Sequence, residues 1–79
     1  MITSRQIRAA RALLGWSQQK LADQAVVALN TVRRLEKGKA DLRVSSLEQI
    51  QNALEAMGIE FSMRGDDGVR LVPPKSRAG

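Results

Sequence analysis

Residues 24–31 of the chain read QAVVALNT, an apolar stretch between two basic segments, and the conformation of this stretch decides the fold. Around it, apolar residues recur at helical spacing, namely Leu21, Ala25, Ala28, Val32 and Leu35. Neither glycine nor proline interrupts them, so the pattern fits a single helix from Ser17 to Lys37 as well as two shorter helices. Hydrophobic spacing alone leaves both alternatives open and leans towards the single helix.

The composition of the 79-residue chain limits its possible functions. The length fits one domain with a small core, which a partner chain would help to stabilise. Cysteine, histidine and tyrosine are absent, and the remaining polar groups form no recognisable catalytic arrangement. We therefore expect no enzyme, no metal and no cofactor. The longest apolar run, residues 25–29, is far shorter than the roughly 20 residues of a membrane span, so we expect a soluble cytoplasmic protein without a membrane partner.

The charge of the chain indicates a polyanionic partner, most often nucleic acid. The formal net charge is +5 and the isoelectric point is about 10.8. Basic residues dominate the beginning and the middle of the chain, namely Arg5, Arg8, Arg11, Lys20, Arg33, Arg34, Lys37, Lys39 and Arg43. Most acidic residues lie in the second half. This asymmetry is typical of a phosphate-binding surface formed by the first half.

The segment before the apolar stretch predicts one helix and the start of another. Thr3 and Gln6 have the spacing of a capping box, in which each side chain bonds to the backbone of the other. Gly15 can end that helix in a left-handed conformation, so a first helix should run from about Thr3 to Leu14. Ser17 can then cap the second helix.

A last helix is predicted beyond the polar segment KGKAD, residues 37–41. Ser45 or Ser46 can cap this helix, and Gly58 can end it. Its apolar positions have helical spacing, and they are Leu47, Ile50, Ala53, Leu54 and Met57.

The hydrophobic period changes after Gly58. Apolar residues now alternate with polar ones, which indicates a β-hairpin that contains Ile59, Phe61, Met63, Val69 and Leu71. For these side chains to share one face, paired positions must sum to an even number, so the loop should have three or five residues and not two. Two strands are marginal alone, so the hairpin should pack on the helices or pair with a second chain, and we predict that it is the dimerisation element.

The segment WSQQKLADQAVVALNTVRRLEKGKADL, residues 16–42, resembles the phage repressor and Cro-like helix-turn-helix domains of the xenobiotic-response-element group. The shared residues are Ser17, Gln18, Leu21, Ala22, Val27, Thr31, Val32, Arg34, Leu35, Glu36, Lys37, Gly38 and Lys39. With the first helix included, the resemblance covers about residues 4–57. It implies a turn near residues 25–28, between a helix over 18–25 and a helix over 28–37 that enters the major groove.

The resemblance implies a mainly α fold, a small lambda-repressor-like bundle of about four helices, and the alternating pattern beyond it adds a C-terminal β-hairpin. The helix-turn-helix domain would span residues 1–57 and the hairpin extension residues 58–74. Two prolines and a basic end make residues 75–79 a predicted disordered tail.

The turn departs from the family at two positions. Val26 stands where such proteins usually have glycine, and a β-branched residue with positive φ costs on the order of 1 to 2 kcal/mol. Ala28 stands where they usually have a serine or threonine cap, which loses about 1 kcal/mol more. Asn30 is the nearest good cap, and a helix capped there would begin two residues late.

The resemblance also implies three base-reading residues, Leu29, Asn30 and Arg34. Asparagine can bond adenine at two atoms, arginine can bond guanine in the same way, and leucine can contact a thymine methyl. Plain alternatives are that Asn30 only caps the helix and that Leu29 only packs in the core.

Phosphate contacts are implied for four residues, Gln18, Arg33, Lys39 and Arg43. Each of them could instead be a solvated surface side chain. Arg11 and Glu36 match a pair that forms a structural salt bridge between the first and third helices in many relatives. We interpret this pair as structural, because removing one partner of a buried ion pair is costly.

The function implied by the resemblance is transcriptional regulation. The protein would be a repressor that binds double-stranded DNA sequence-specifically as a symmetric homodimer on an inverted repeat. One alternative is an antitoxin-like protein that binds a toxin or other protein through the hairpin and autoregulates through the same helices. Another is an interaction module built on one long helix, if residues 18–37 prove continuous.

Overall fold

The computed structural model describes residues 2–38 and 44–72. Its elements in chain order are α1 (Ser4–Leu14), α2 (Gln18–Ala25), α3 (Leu29–Glu36), α4 (Val44–Glu55), β1 (Ile59–Phe61) and β2 (Val69–Leu71). The predicted fold, four helices followed by a β-hairpin, is confirmed. The tail predicted over residues 75–79 falls outside the described residues. None of the described helices has the length and apolarity that crossing a membrane requires.

The first helix begins and ends as its sequence predicts. The Thr3 amide donates to Gln6 Oε1 over 2.9 Å, and the Gln6 amide donates to Thr3 Oγ1 over 3.2 Å, so the capping box is present. Gly15 ends α1 with φ of 69°. The amides of Gly15 and Trp16 donate to the Ala12 and Arg11 carbonyls, which is the hydrogen-bond pattern of a Schellman motif.

One hydrophobic core joins all four helices and the first strand. Ile7, Leu21, Ile50 and Leu54 are fully buried and come from α1, α2 and α4. Each such side chain contributes roughly 1.5 to 3 kcal/mol relative to an exposed position. The other buried apolar residues are Ile2, Ala10, Ala22, Ala25, Val32, Leu35 and Ile59.

The apolar stretch forms a turn, so the alternative of a single helix from Ser17 to Lys37 is wrong. Val26 takes the left-handed conformation, with φ of 57° and ψ of 49°. Its amide donates to the Asp23 carbonyl, and the Val27 amide donates to the Ala22 carbonyl, which is again the Schellman pattern. The turn lets α2 and α3 bury apolar side chains in the same core from two directions, and this packing outweighs the local preference for helix.

The hairpin has the parity that the alternating pattern predicts. Ile59 pairs with Leu71, Glu60 with Arg70, and Phe61 with Val69, so each pair of positions sums to an even number. A further hydrogen bond from the Ser62 amide to the Gly68 carbonyl, 2.8 Å long, leaves five residues, 63–67, in the loop. Gly58 permits the close entry of the hairpin, because a Cβ there would lie 2.4 Å from the Val72 carbonyl oxygen.

A buried amide fixes the hairpin to the start of α1. Gln6 is 1% exposed, and its Nε2 donates to the carbonyls of Ser62 and Gly68 over 2.8 and 3.1 Å. Thr3 Oγ1 also donates to Asp67 Oδ1 over 2.9 Å. Gln6 therefore caps its own helix with its side-chain oxygen and holds the two residues that flank the hairpin loop with its side-chain nitrogen.

Candidate nucleic-acid interface

The side of α3 that faces away from the core carries three basic residues. Asn30, Arg33, Arg34 and Lys37 are exposed and recur at positions i, i+3, i+4 and i+7, so they share one side of the helix. We call these four residues the outer face of α3. Val32 and Leu35 are buried on the opposite side and fix the orientation of the helix.

The single acidic residue of α3 does not reach this outer face. Glu36 is 4% exposed and points towards α1. Arg11 Nε donates to Glu36 Oε2 over 2.8 Å, and Arg11 Nη2 donates to Glu36 Oε1 over 2.9 Å. The hydrogen bonds to this carboxylate raise the pKa of Arg11 above its ordinary value. Because the one carboxylate of α3 is buried and paired, every charged side chain on the outer face is positive.

The start of α2 is joined to the end of α3 through the same carboxylate. Gln18 Nε2 donates to Glu36 Oε1 over 3.1 Å, and Arg11 Nη1 donates to the Trp16 carbonyl over 3.0 Å. Gln18 is half-buried, so it is not the solvated side chain that was the plain alternative. The structure thus places Gln18, Arg11 and Glu36 in one network, which holds the two helices of the motif in fixed relation.

Two candidate functional residues, Arg8 and Lys37, were not predicted from the sequence. Arg8 Nη1 donates to the Glu36 carbonyl over 2.6 Å, so it caps the carboxyl end of α3, where a cation is favourable. Its signal was the spacing of three between Arg5, Arg8 and Arg11, which places all of them near one side of α1. Lys37 lies on the outer face of α3, three residues beyond Arg34.

The amino end of α3 differs from one sequence expectation. The helix begins at Leu29, with Ala28 as its cap in an extended conformation and no side-chain hydrogen bond. Asn30 is therefore not the cap and lies exposed in the first turn. The reason is tertiary: packing of Val32 and Leu35 fixes where the helix starts, at the expense of a good cap. Leu29 is half-buried and packs against the core, so its apolar side chain already has a structural role.

The segment between α3 and α4 contains the remaining two phosphate candidates. Lys39 and Arg43 fall outside the described residues, so their predicted roles stay predictions. Gly38, the last described residue before them, has φ of 76° and ends the helix.

Comparison with known families agrees with this geometry. The sequence model of the helix-turn-helix family matches residues 7–60, well over half of the chain. No curated protein is similar enough in sequence to match. The assignment to the xenobiotic-response-element subgroup stays a prediction. With a short α2, a tight turn at Val26 and an α3 that presents basic residues outward, the chain belongs to the helix-turn-helix family of DNA-binding regulators.

Proposed function

We propose that this protein is a repressor that binds duplex DNA sequence-specifically by inserting α3 into the major groove. The observation that carries the proposal is the outer face of α3, which presents an asparagine and three cations while its one carboxylate is buried. Repression would follow from occupancy of the operator. The protein would act as a symmetric dimer, because the described part of the chain contains one such helix and inverted repeats match two-fold proteins.

Base reading would be performed by Leu29, Asn30 and Arg34 of α3. Asn30 and Arg34 are exposed and one helical turn apart, which suits bidentate bonds to an adenine and to a guanine. Leu29 is half-buried beside them and would contact a thymine methyl with its remaining exposed surface. Each good bidentate pair contributes roughly 1 to 3 kcal/mol of discrimination between bases.

Phosphate contacts would come from residues that flank these readers. Arg33 and Lys37 are exposed on the same side of α3, and Lys39 and Arg43 follow further along the sequence. Gln18 lies at the amino end of α2, whose first turn has no acidic residue that would repel a phosphate. Since Gln18 also bonds Glu36, a phosphate held there would be rigidly placed relative to α3.

A second candidate is an antitoxin-like function, in which the hairpin binds another protein and DNA binding serves autoregulation. It is favoured by the apolar surface of the hairpin, where Met63 is 60% exposed and Leu71 is 41% exposed. Purification of a stable complex with another protein from the native source would support it over simple repression.

The direct test is selection of bound sequences from a random duplex pool, followed by affinity measurements across a salt series. We expect an inverted repeat with half-sites about 10 base pairs apart, and log affinity that falls with log salt by about 0.9 per neutralised phosphate. A chain that binds no duplex at low salt would contradict the proposal.

Single substitutions distinguish base contacts from phosphate contacts. Arg34→Ala should flatten the sequence preference, whereas Lys39→Ala should weaken binding to every duplex alike. The matched control is Arg64→Ala, which removes the same charge from the exposed hairpin loop and should change neither property. If Lys39→Ala loses the sequence preference and Arg34→Ala keeps it, the roles assigned to these two residues are reversed.

A further inference from the structure

One side of α1 follows the carboxyl end of α3 along about two helical turns. Ser4, Arg8 and Arg11 stand at positions i, i+4 and i+7 of α1, so their side chains share that side. Arg11 bonds the Glu36 carboxylate, and Arg8 bonds the Glu36 carbonyl. Ser4 lies beside Gly38, because a Cβ at Gly38 would be 3.8 Å from Ser4 Oγ. Three successive residues of α1 thus contact the last turn of α3 and the residue that ends it.

The carbonyl that Arg8 contacts is a helix-end acceptor. The amides of Lys37 and Gly38 donate to carbonyls of residues 33–35, and Gly38 then leaves the helix with φ of 76°. Within residues 2–38 and 44–72, no backbone amide donates to the Glu36 carbonyl. Arg8 Nη1 donates to it over 2.6 Å. A side chain of α1 therefore supplies the hydrogen bond that the end of α3 needs.

The amino end of α3 has no comparable contact. The helix has eight residues, and its cap residue Ala28 makes no side-chain hydrogen bond. Short helices fray from ends that lack capping bonds. Besides its buried side chains, α3 is held at its carboxyl end, where Arg8 and Arg11 bond the backbone and the side chain of the same residue, Glu36.

We propose that Arg8 is a positioning residue for DNA recognition, which keeps the last turn of α3 fixed against α1 through the Glu36 carbonyl. Arg34, a base-reading residue of the proposed function, stands in this last turn two residues before Glu36. Movement of the turn would displace the Arg34 guanidinium from its base, and bidentate bonds require accurate placement. Arg8 itself touches no base. The inference rests on the proposed function and adds to it a residue that acts through α3.

The geometry favours this role over a direct phosphate contact by Arg8. Its Nη1 is already bonded to the Glu36 carbonyl, and the carboxyl end of a helix carries partial negative charge that a cation compensates. A phosphate at the same nitrogen would have to replace that bond and lie against the negative end of α3. We therefore expect Arg8 to affect which sequence is bound and not how many phosphates are neutralised.

The first test measures sequence discrimination and salt dependence separately. In Arg8→Ala, the ratio of affinities for the selected operator and an unrelated duplex should fall by about fivefold or more, roughly the smallest worth of one bidentate base contact. The dependence of log affinity on log salt should stay as in the wild type, because no phosphate contact is lost. Arg8→Lys keeps a charged donor on a long stem and should restore most of the discrimination.

Arg5→Ala is the matched control for this test. Arg5 precedes Arg8 by three residues in α1, carries the same charge, and bonds Asp67 of the hairpin loop and not α3. It should change neither the discrimination nor the salt slope. A salt slope that falls by about 0.9 in Arg8→Ala, with discrimination kept, would identify a phosphate contact and overturn the proposal. Circular dichroism confirms that each variant is folded at the assay temperature.

Amide hydrogen exchange measures the fixing of α3 in the absence of DNA. The amides of Lys37 and Gly38 close the last turn of α3, so they should exchange about two- to fivefold faster in Arg8→Ala. The increase is taken relative to the amide of the buried Ile50, whose exchange reports global stability. If all three amides change by the same factor, Arg8 contributes only to overall stability and the proposal is wrong.

The two measurements keep this inference separate from the proposed function. If the Lys37 and Gly38 amides exchange faster in Arg8→Ala while the wild type binds no duplex, the DNA-binding proposal fails and the fixing of α3 by Arg8 stands. If the wild type binds its operator and Arg8→Ala discriminates equally well, the positioning role fails and the DNA-binding proposal stands.

Discussion

The helices α1 and α2 end in the same motif but with opposite residues at its critical position. Both ends have the two Schellman hydrogen bonds and a left-handed residue, which is Gly15 after α1 and Val26 after α2. Glycine takes this conformation freely, whereas a β-branched residue is strained there. The turn between α2 and α3 therefore forms against the local preference of Val26, and its conformation must be imposed by the packing on either side.

The surroundings of the two helix ends also favour the end of α1 over the end of α2. At the end of α1, the Arg11 side chain bonds the Trp16 carbonyl and Glu36, so polar contacts reinforce an end that glycine already favours. At the end of α2, Val26 is 80% exposed and Ala28 caps α3 without a side-chain bond. The stabilising local contacts of the motif thus lie before α2, whereas its strained residue and its unsatisfied cap lie in the turn after α2.

The largest expected effect comes from removing the network that reinforces the first end. Glu36→Ala removes the acceptor of Arg11 Nε, Arg11 Nη2 and Gln18 Nε2, which should lower the free energy of unfolding by about 3 kcal/mol. This value is at the low end for buried pairs, because Arg11 keeps some access to solvent. Urea unfolding at fixed protein concentration measures it, with the exposed Glu48→Ala as control. If both variants lower the free energy of unfolding equally, the buried network around Glu36 does not contribute the expected stability.

Gly15→Val places at the end of α1 the same residue type that stands at the end of α2. A Cβ at Gly15 has no atom within 4 Å, so the cost is confined to the backbone. Left-handed strain of roughly 1 to 2 kcal/mol, less the reduced entropy of the unfolded chain, gives a loss of about 1 kcal/mol. Gly15→Ala is the control that removes β-branching, and it should cost less in the same unfolding assay.

Val26→Gly is the reverse exchange at the second end. Because Val26 is 80% exposed, its removal loses little buried surface, and relief of the left-handed strain should raise stability by about 1 kcal/mol. The two exchanges should then be equal and opposite in their effect on the urea midpoint. If Val26→Gly destabilises the protein, the valine side chain makes a stabilising contact that outweighs its strain.

The smallest effect is expected at the cap of α3. Ala28 is extended, as a cap residue should be, so Ala28→Ser can supply the missing acceptor without moving the backbone. The gain should be about 0.5 to 1 kcal/mol, and it should add to that of Val26→Gly unless the two sites are coupled. The double variant measures that coupling. Thermal unfolding of Ala28→Gly, which lacks the hydroxyl, is the control.

Local signals in the sequence were sufficient for most elements of the fold. Thr3 and Gln6 marked the first cap, Gly15 marked the first end, and alternation around Ile59 and Phe61 marked the hairpin and the parity of its loop. Each of these features depends on neighbours within a few residues or on a strict period. The turn at Val26 was different, because only the resemblance to a family of known fold indicated it.

Long-range contacts account for what the sequence did not predict. Gln6 bonds to Ser62 and Gly68, and Arg8 to the end of α3, across separations that no local pattern encodes. The start of α3 at Leu29 was also decided at a distance, by the burial of Val32 and Leu35. For the DNA contacts, the sequence supplied residue types and positions, and the roles of Leu29, Asn30 and Arg34 stay predictions.

The two hydrogen bonds of the Gln6 amide have a consequence for the order of folding. Their acceptors lie 56 and 62 residues further along the chain, which gives these contacts a very high sequence separation. During synthesis, the first helix emerges long before residues 62 and 68, so its buried amide has no partner until the hairpin has been made. The buried amide of the first helix is therefore satisfied only after residues 62 and 68 have been synthesised, and native structure should arise late and all at once.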